Sequence, residues 1–135
     1  MSRPKRLRRC QLSVPGSSEK MMTKAADLDL DHVFLDLEDA VAPSAKASAR
    51  GMIVDAINNL DWKPKTLCVR INDVETQYCH DDIIEVVTGA GAKLDTIMLT
   101  KAKSASDVMF VHLLLDQLEQ KLGLENRIGI ECLIE

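Results

Sequence analysis

Val33-Phe34-Leu35-Asp36-Leu37-Glu38-Asp39-Ala40-Val41-Ala42-Pro43 opens as an apolar run and ends in three carboxylates and a proline. The short apolar run predicts a buried strand. The acids then fall at the strand's C-terminal end, where α/β sheets and barrels bind ligands. One acid at such a place solvates a strand end or caps a helix. Asp36, Glu38 and Asp39 together, just ahead of a helix start at Pro43-Ser44, point to a site.

Around this stretch the chain alternates. Leu12-Ser13-Val14 is a short strand stopped by Pro15-Gly16, and Ser17 or Ser18 can cap the helix that carries Lys20, Met21, Met22, Lys24 and Ala25. Ala49, Ile53, Val54, Ile57 and Leu60 have the spacing of one apolar helix face. Thr66 to Asn72 is a strand, Asp81 to Gly89 a short helix, and Leu94 to Leu99 a strand that closes on Thr100-Lys101. Ser104 to about Leu122 is a long helix stopped by Gly123, and Arg127 to Ile134 is a fifth strand. Strand and helix in alternation give a parallel sheet with right-handed crossovers. No helix follows the fifth strand, so the expected fold is α/β, the N-terminal half of a TIM (β/α)₈ barrel, a fold that typically takes about 250 residues.

Bulk properties bound the function. The 135 residues suffice for one core, and with 46% hydrophobic and 28% charged residues the chain is of ordinary globular type. Only 3% is aromatic and the net charge is −4, so nucleic acid is not an expected partner. The exception is a basic arm over residues 1–9, where Arg3, Lys5, Arg6, Arg8 and Arg9 crowd together. Arg3 to Arg6 are expected to be a solvated tail, with Arg8 and Arg9 placed by the first strand. No run approaches the roughly 18 apolar residues of a membrane span, and the default compartment is a reducing cytoplasm. Cys10, Cys68, Cys79 and Cys132 lie too far apart for a zinc motif or disulfide framework, and Cys68 and Cys132 are expected in the core. His32, His80 and His112 are each expected at the surface.

In a barrel every strand's C-terminal end faces one mouth. Asp36, Glu38, Asp39, Arg70, Asn72, Lys101, Glu131 and Glu135 would converge there. Carboxylates suit Mg²⁺, and a guanidinium fork suits a carboxylate substrate. Glu131 and Glu135 are four apart and share a strand face; Glu135 is the better metal candidate, with Glu131 deeper.

These residues carry a resemblance. Arg9-Cys10-Gln11-Leu12-Ser13-Val14-Pro15-Gly16-Ser17, Lys20-Met21, Lys24-Ala25, Leu35 to Pro43, Lys46, Ala49-Arg50, Val69-Arg70-Ile71-Asn72 and Leu133-Ile134-Glu135 resemble the citrate lyase β-subunit-like (HpcH/HpaI aldolase) family. Within it the likeness is greatest to the malyl-CoA/β-methylmalyl-CoA lyases. The resemblance covers residues 10–135 and implies a partial TIM-barrel lyase domain, truncated after its fifth strand.

It further implies a Mg²⁺-dependent carbon–carbon lyase that cleaves a β-hydroxyacyl-CoA, malyl-CoA giving acetyl-CoA and glyoxylate. Arg70 would hold the substrate carboxylate or keto acid, and Glu135 would be a metal ligand. Glu38 and Asp39 would orient both, while Arg9, Lys20 and Lys24 would meet the CoA phosphates. Lys46 and Arg50 would either help with those phosphates or, the favoured reading, pair with Asp36 and Glu38. Partners would be an acyl-CoA thioester, a small keto acid and further copies, as a homo-oligomer (trimer or hexamer). Thr100-Lys101 departs from the family's Pro-Lys, and the second metal aspartate and a lid acid have no counterpart in the chain, so the fragment itself should be inactive. Citryl-CoA or citramalyl-CoA cleavage stays open, as does a non-catalytic half-barrel that binds CoA or RNA.

Overall fold

The computed structural model describes residues 5–135. Five strands, β1 (Gln11–Pro15), β2 (His32–Asp36), β3 (Thr66–Ile71), β4 (Thr96–Leu99) and β5 (Gly129–Cys132), alternate with four helices. These are α1 (Glu19–Asp27), α2 (Lys46–Asn59, entered through a 3₁₀ turn at Pro43–Ala45), α3 (Cys79–Ala90) and α4 (Ala105–Leu122). All four strand pairings are parallel and run in chain order, β1-β2-β3-β4-β5. A doubly wound sheet reverses its order at a switch point; a barrel does not. The unreversed order is therefore that of the first part of a (β/α)₈ barrel.

Local chemistry sets the boundaries. Ser18 caps α1 by accepting a hydrogen bond from the Met21 amide. Ser104 and Asp107 form a reciprocal capping box on α4, and Gly123, in the left-handed region at φ 63°, ends it. Gly16 is required by a close approach. A Cβ there would lie 2.5 Å from Ile53 Cδ1 and 2.8 Å from the Asp36 carbonyl oxygen, to which the Gly16 amide donates.

Period-two alternation divides each strand between two faces. Val14, Val33, Leu35, Leu67, Val69, Ile71, Ile97 and Leu99 face the helices and join Met22, Ile53, Ile57, Ile83, Val86, Val111 and Leu115 in one core. The opposite face, the barrel's interior side, is mostly polar, with Gln11, Ser13, His32, Asp36, Cys68, Arg70, Thr96 and Glu131 beside the apolar Phe34 and Met98. Lying on this face, His32 is fully buried within β2, contrary to the surface place expected of it. His80 and His112 are exposed as expected. Cys68 is buried, but Cys132 is exposed, because no described helix covers the outer face of β5.

The basic arm divides differently than expected. Arg3 lies outside the described residues. Arg6 is no solvated tail: its guanidinium donates to the Lys65 carbonyl and pairs with Asp95. Arg8 reaches Glu131, and Arg9 pairs with Asp31.

Candidate active site at the C-terminal rim

Asp36 ends β2 and its side chain is fully buried. Its carboxylate accepts from the amides of Glu38 (2.8 Å) and Ala40 (3.0 Å) and from Arg70 Nε (2.8 Å) and Nη2 (2.5 Å). Burial alone would raise the Asp36 pKa; Arg70 and the two amides outweigh it and hold the carboxyl below its ordinary value. One carboxylate therefore sets the turn that carries Glu38 and fixes the guanidinium of the neighbouring strand in a fork geometry. The Phe34 ring, 5.2 Å from Arg70 Cζ, supports the guanidinium further. With Nε and Nη2 occupied, the Nη1 edge faces the rim, 3.9 Å from Glu38 Oε1.

Glu38 is buried and held from the other side by the turn that follows β4. Thr100 Oγ1 donates to Oε1 (3.1 Å) and Lys101 Nζ to Oε2 (2.9 Å). Burial pushes its pKa up, and the adjacent Asp39 adds to the rise against the pull of Lys101, Thr100 and Arg70. Asp39 is largely exposed, 3.8 Å from Lys101 Nζ, and its own pKa is lowered. Lys101 has left-handed backbone at φ 51°, a conformation that costs a non-glycine residue about 1 kcal/mol or more and is concentrated at functional sites.

Beneath the rim runs a buried polar chain. Lys46 Nζ donates to the carbonyls of Leu37 (2.8 Å) and Glu38 (2.9 Å) and to Asn72 Oδ1 (2.7 Å). Asn72 is fixed in turn by Asp82, which accepts from its backbone and side-chain nitrogens at 2.9 and 2.7 Å. Arg50 Nε also donates to Asp82 (2.8 Å) and Nη1 reaches Glu85. The expected pairing of Lys46 and Arg50 with Asp36 and Glu38 is thus corrected. Lys46 holds the backbone of the acidic turn, and Arg50 ties α2 to α3. Asp82 is the member that the sequence did not reveal; its partners are ten and thirty-two residues away, beyond any local spacing rule.

The other sequence-derived residues are spread out. Glu135 is exposed and shares with Asp73, Lys101, Ala102 and Lys103 an open cavity of about 220 Å³ at the same rim. Lys20, exposed in the first turn of α1, is at the rim end of that helix. Lys24, a turn farther on, lines an apolar cavity of about 240 Å³ against β1. Arg9 precedes β1 and sits at the opposite end of the sheet, its Nε and Nη2 bound to Asp31 at 2.9 and 3.0 Å. The structure brings Arg70, Glu38, Asp39 and Lys101 together, but not Arg9. Glu131 lies deep on the interior face, bound to His32 and Thr96.

Residues 9–135 match the model of the HpcH/HpaI aldolase/citrate lyase family. The chain belongs to this family. It is 42% identical over 132 residues to an L-malyl-CoA/β-methylmalyl-CoA lyase of Cereibacter sphaeroides, covering 98% of this chain and 42% of that protein. It is 34% identical over 118 residues to the citrate lyase subunit β of Leuconostoc mesenteroides, covering 87% and 38%. The chain thus spans about two fifths of the length of these curated relatives.

Among solved structures, a citrate lyase from Burkholderia xenovorans superimposes with a TM-score of 0.86 at 21% identity, over 99% of this chain and 43% of that one. A Haloferax volcanii malate synthase, in a magnesium/glyoxylate complex, gives 0.82 at 20% identity over 93% and 42%. Likeness at this identity establishes the fold, that of TIM-barrel enzymes. In this member of the HpcH/HpaI family, the carboxylates around the rim cavity are those of Glu135 and Asp73, with Lys101 and Lys103 beside them. Carboxylate oxygens suit one side of a hard divalent cation, and Glu135 is the more exposed of the two acids.

Proposed function

We propose that this chain supplies the N-terminal part of the active site of a divalent-metal-assisted carbon–carbon lyase. Its substrate is a β-hydroxyacyl-CoA thioester, with malyl-CoA, cleaved to acetyl-CoA and glyoxylate, as the first choice. One observation carries the reading. Arg70 is locked by Asp36 through two of its nitrogens, leaving an Nη1 edge at the rim beside buried Glu38. A planar edge of this kind accepts a carboxylate or an α-keto acid, and its charge favours the oxyanion that develops as the β-hydroxyl becomes a carbonyl.

Glu38 and Asp39 form an acidic pair with opposed shifts, one group raised and the other lowered, an arrangement suited to orienting a proton or water close to the substrate. Lys46 and Asn72 keep the turn that carries the pair in place. Glu135 is the residue that would hold Mg²⁺, and Lys20 lies where it can meet a CoA phosphate at the rim. When bound, the metal supplies Lewis-acid polarisation of the keto-acid oxygens. Similarity to the L-malyl-CoA/β-methylmalyl-CoA lyases over 98% of the chain supports this acyl group over citryl-CoA. The working protein is proposed to be a homo-oligomer.

The test is glyoxylate release from malyl-CoA by the intact protein, with and without Mg²⁺. Activity should need the metal and fall at least about 10²-fold in Arg70→Ala and in Glu135→Ala. A fully active Glu135→Ala enzyme removes the metal assignment. Cleavage of citryl-CoA or citramalyl-CoA with none of malyl-CoA would move the proposal to the other acyl group.

A further inference from the structure

On the interior face, about 13 Å along β2 from Asp36, three strands bring different ligand chemistries together. His32 on β2, Cys68 on β3 and Glu131 on β5 each offer an atom within 4.8 Å of those of the other two. None of them takes part in the rim chemistry. A second observation marks the same place. Among the described residues, the buried side-chain polar atoms without a hydrogen-bond partner are His32 Nδ1 and Thr66 Oγ1, and these two residues are register partners on β2 and β3. Buried orphaned polar atoms are rare in folded proteins and call for a water or an ion.

We propose that His32, Cys68 and Glu131 form an interior site for a zinc-class dication, separate from the hard-cation site at the rim. The donor set is the argument for zinc over magnesium: imidazole nitrogen, thiolate sulfur and carboxylate oxygen suit Zn²⁺, whereas Mg²⁺ takes oxygen. The geometry is close to what is needed. Tetrahedral zinc with bonds of about 2.0–2.3 Å separates its ligand atoms by roughly 3.3–3.6 Å, so adjustments of at most about 1.5 Å suffice. His32 Nε2 already lies 3.0 Å from Glu131 Oε1, and Thr96 Oγ1 donates to the same oxygen at 2.7 Å, holding the carboxylate in place. Gln11 donates to Oε2.

The Arg8 guanidinium, 3.2 Å from Glu131 Oε1, is the cation now beside the carboxylate; its side chain is half exposed and can swing aside. On binding, the Cys68 thiol proton is released to solvent, so occupancy rises with pH.

The test is titration of the intact protein with Co²⁺ and Zn²⁺, in a background with exposed Cys10 and Cys132 changed to Ser and the rim ligand changed by Glu135→Gln. One Co²⁺ per chain should bind, with a thiolate-to-cobalt charge-transfer band in the near ultraviolet and tetrahedral ligand-field bands in the visible, and Zn²⁺ should displace it. Cys68→Ser should remove the charge-transfer band, and His32→Val should abolish tight binding. Arg8→Ala should tighten it roughly two- to fivefold by removing a competing charge from Glu131. Absence of a thiolate band, or a band that survives Cys68→Ser, overturns the proposal and leaves the trio as polar packing of a barrel interior. Either result is independent of glyoxylate release, so it leaves the lyase reading where it stands.

Discussion

At the scale of the residue, Asp36 does more than the acids that flank it. It receives four hydrogen bonds, two from backbone and two from Arg70. Asp36→Asn keeps the size but presents an amide nitrogen to one of these donors and removes the charge that aligns Arg70. Glyoxylate release should drop by about 10²-fold or more, with the loss in KM for the keto acid in the reverse direction as well as in kcat. Unchanged kinetics would mean that Arg70 needs no lock. Lys101 gives a second residue-scale expectation. Its ammonium pulls the Glu38 pKa down against burial. In Lys101→Met that pull is gone, so the acid limb of the pH–rate profile should move to higher pH. A profile that stays in place would show that Glu38 does not titrate in the working range.

Among elements, the turn from β1 into α1 is wedged against the end of β2 and against α2. Gly16→Ala would press a methyl into Ile53 Cδ1 and, with no flexible atom to give way, into the Asp36 carbonyl. The expected cost is about 1–3 kcal/mol in urea unfolding, and because the carbonyl belongs to Asp36, activity should fall with it. A neutral Gly16→Ala would place the turn farther from β2 than the structure does. The elements themselves were largely legible in the sequence. Apolar runs bounded by Pro15-Gly16, Ser104 and Gly123 gave every strand and helix to within a few residues, because turn and cap chemistry is local. His32 was misplaced although the signal was present: counting back by twos from Asp36 through Phe34 puts His32 on the same interior face. Asp82 was beyond reach because its role depends on Arg50 and Asn72, joined to it only by tertiary packing. Arg9 was drawn to the rim by its closeness in sequence to Pro15-Gly16, yet a five-residue strand stands between the two.

On the scale of the whole molecule, the ordered charges of both sheet ends and the interior face act together in acid. Arg9 holds the Asp31 carboxyl down to about 2. Burial would raise Asp36 and Glu131, but Arg70 with two amides for the first, and His32, Thr96 and Arg8 for the second, leave both below their ordinary values. A carboxyl depressed in the fold stabilises it above the unfolded value, near 3.8 for Asp and 4.5 for Glu, and that stability is lost as pH falls through the folded value. Glu38 acts in the opposite sense, since its raised pKa makes folding release less stability once it ionises above 4.5. The urea midpoint of the intact protein should therefore be nearly flat from pH 7 to 5 and fall steeply below about 4. Asp36→Asn should shallow that fall, as it deletes a carboxylate with four donors, whereas Glu38→Gln should leave the fall in place. A midpoint insensitive to pH between 5 and 2 would mean that these pairs are no stronger in the fold than in the unfolded chain. The guanidinium at the rim would then not be held as tightly as the proposed lyase chemistry needs.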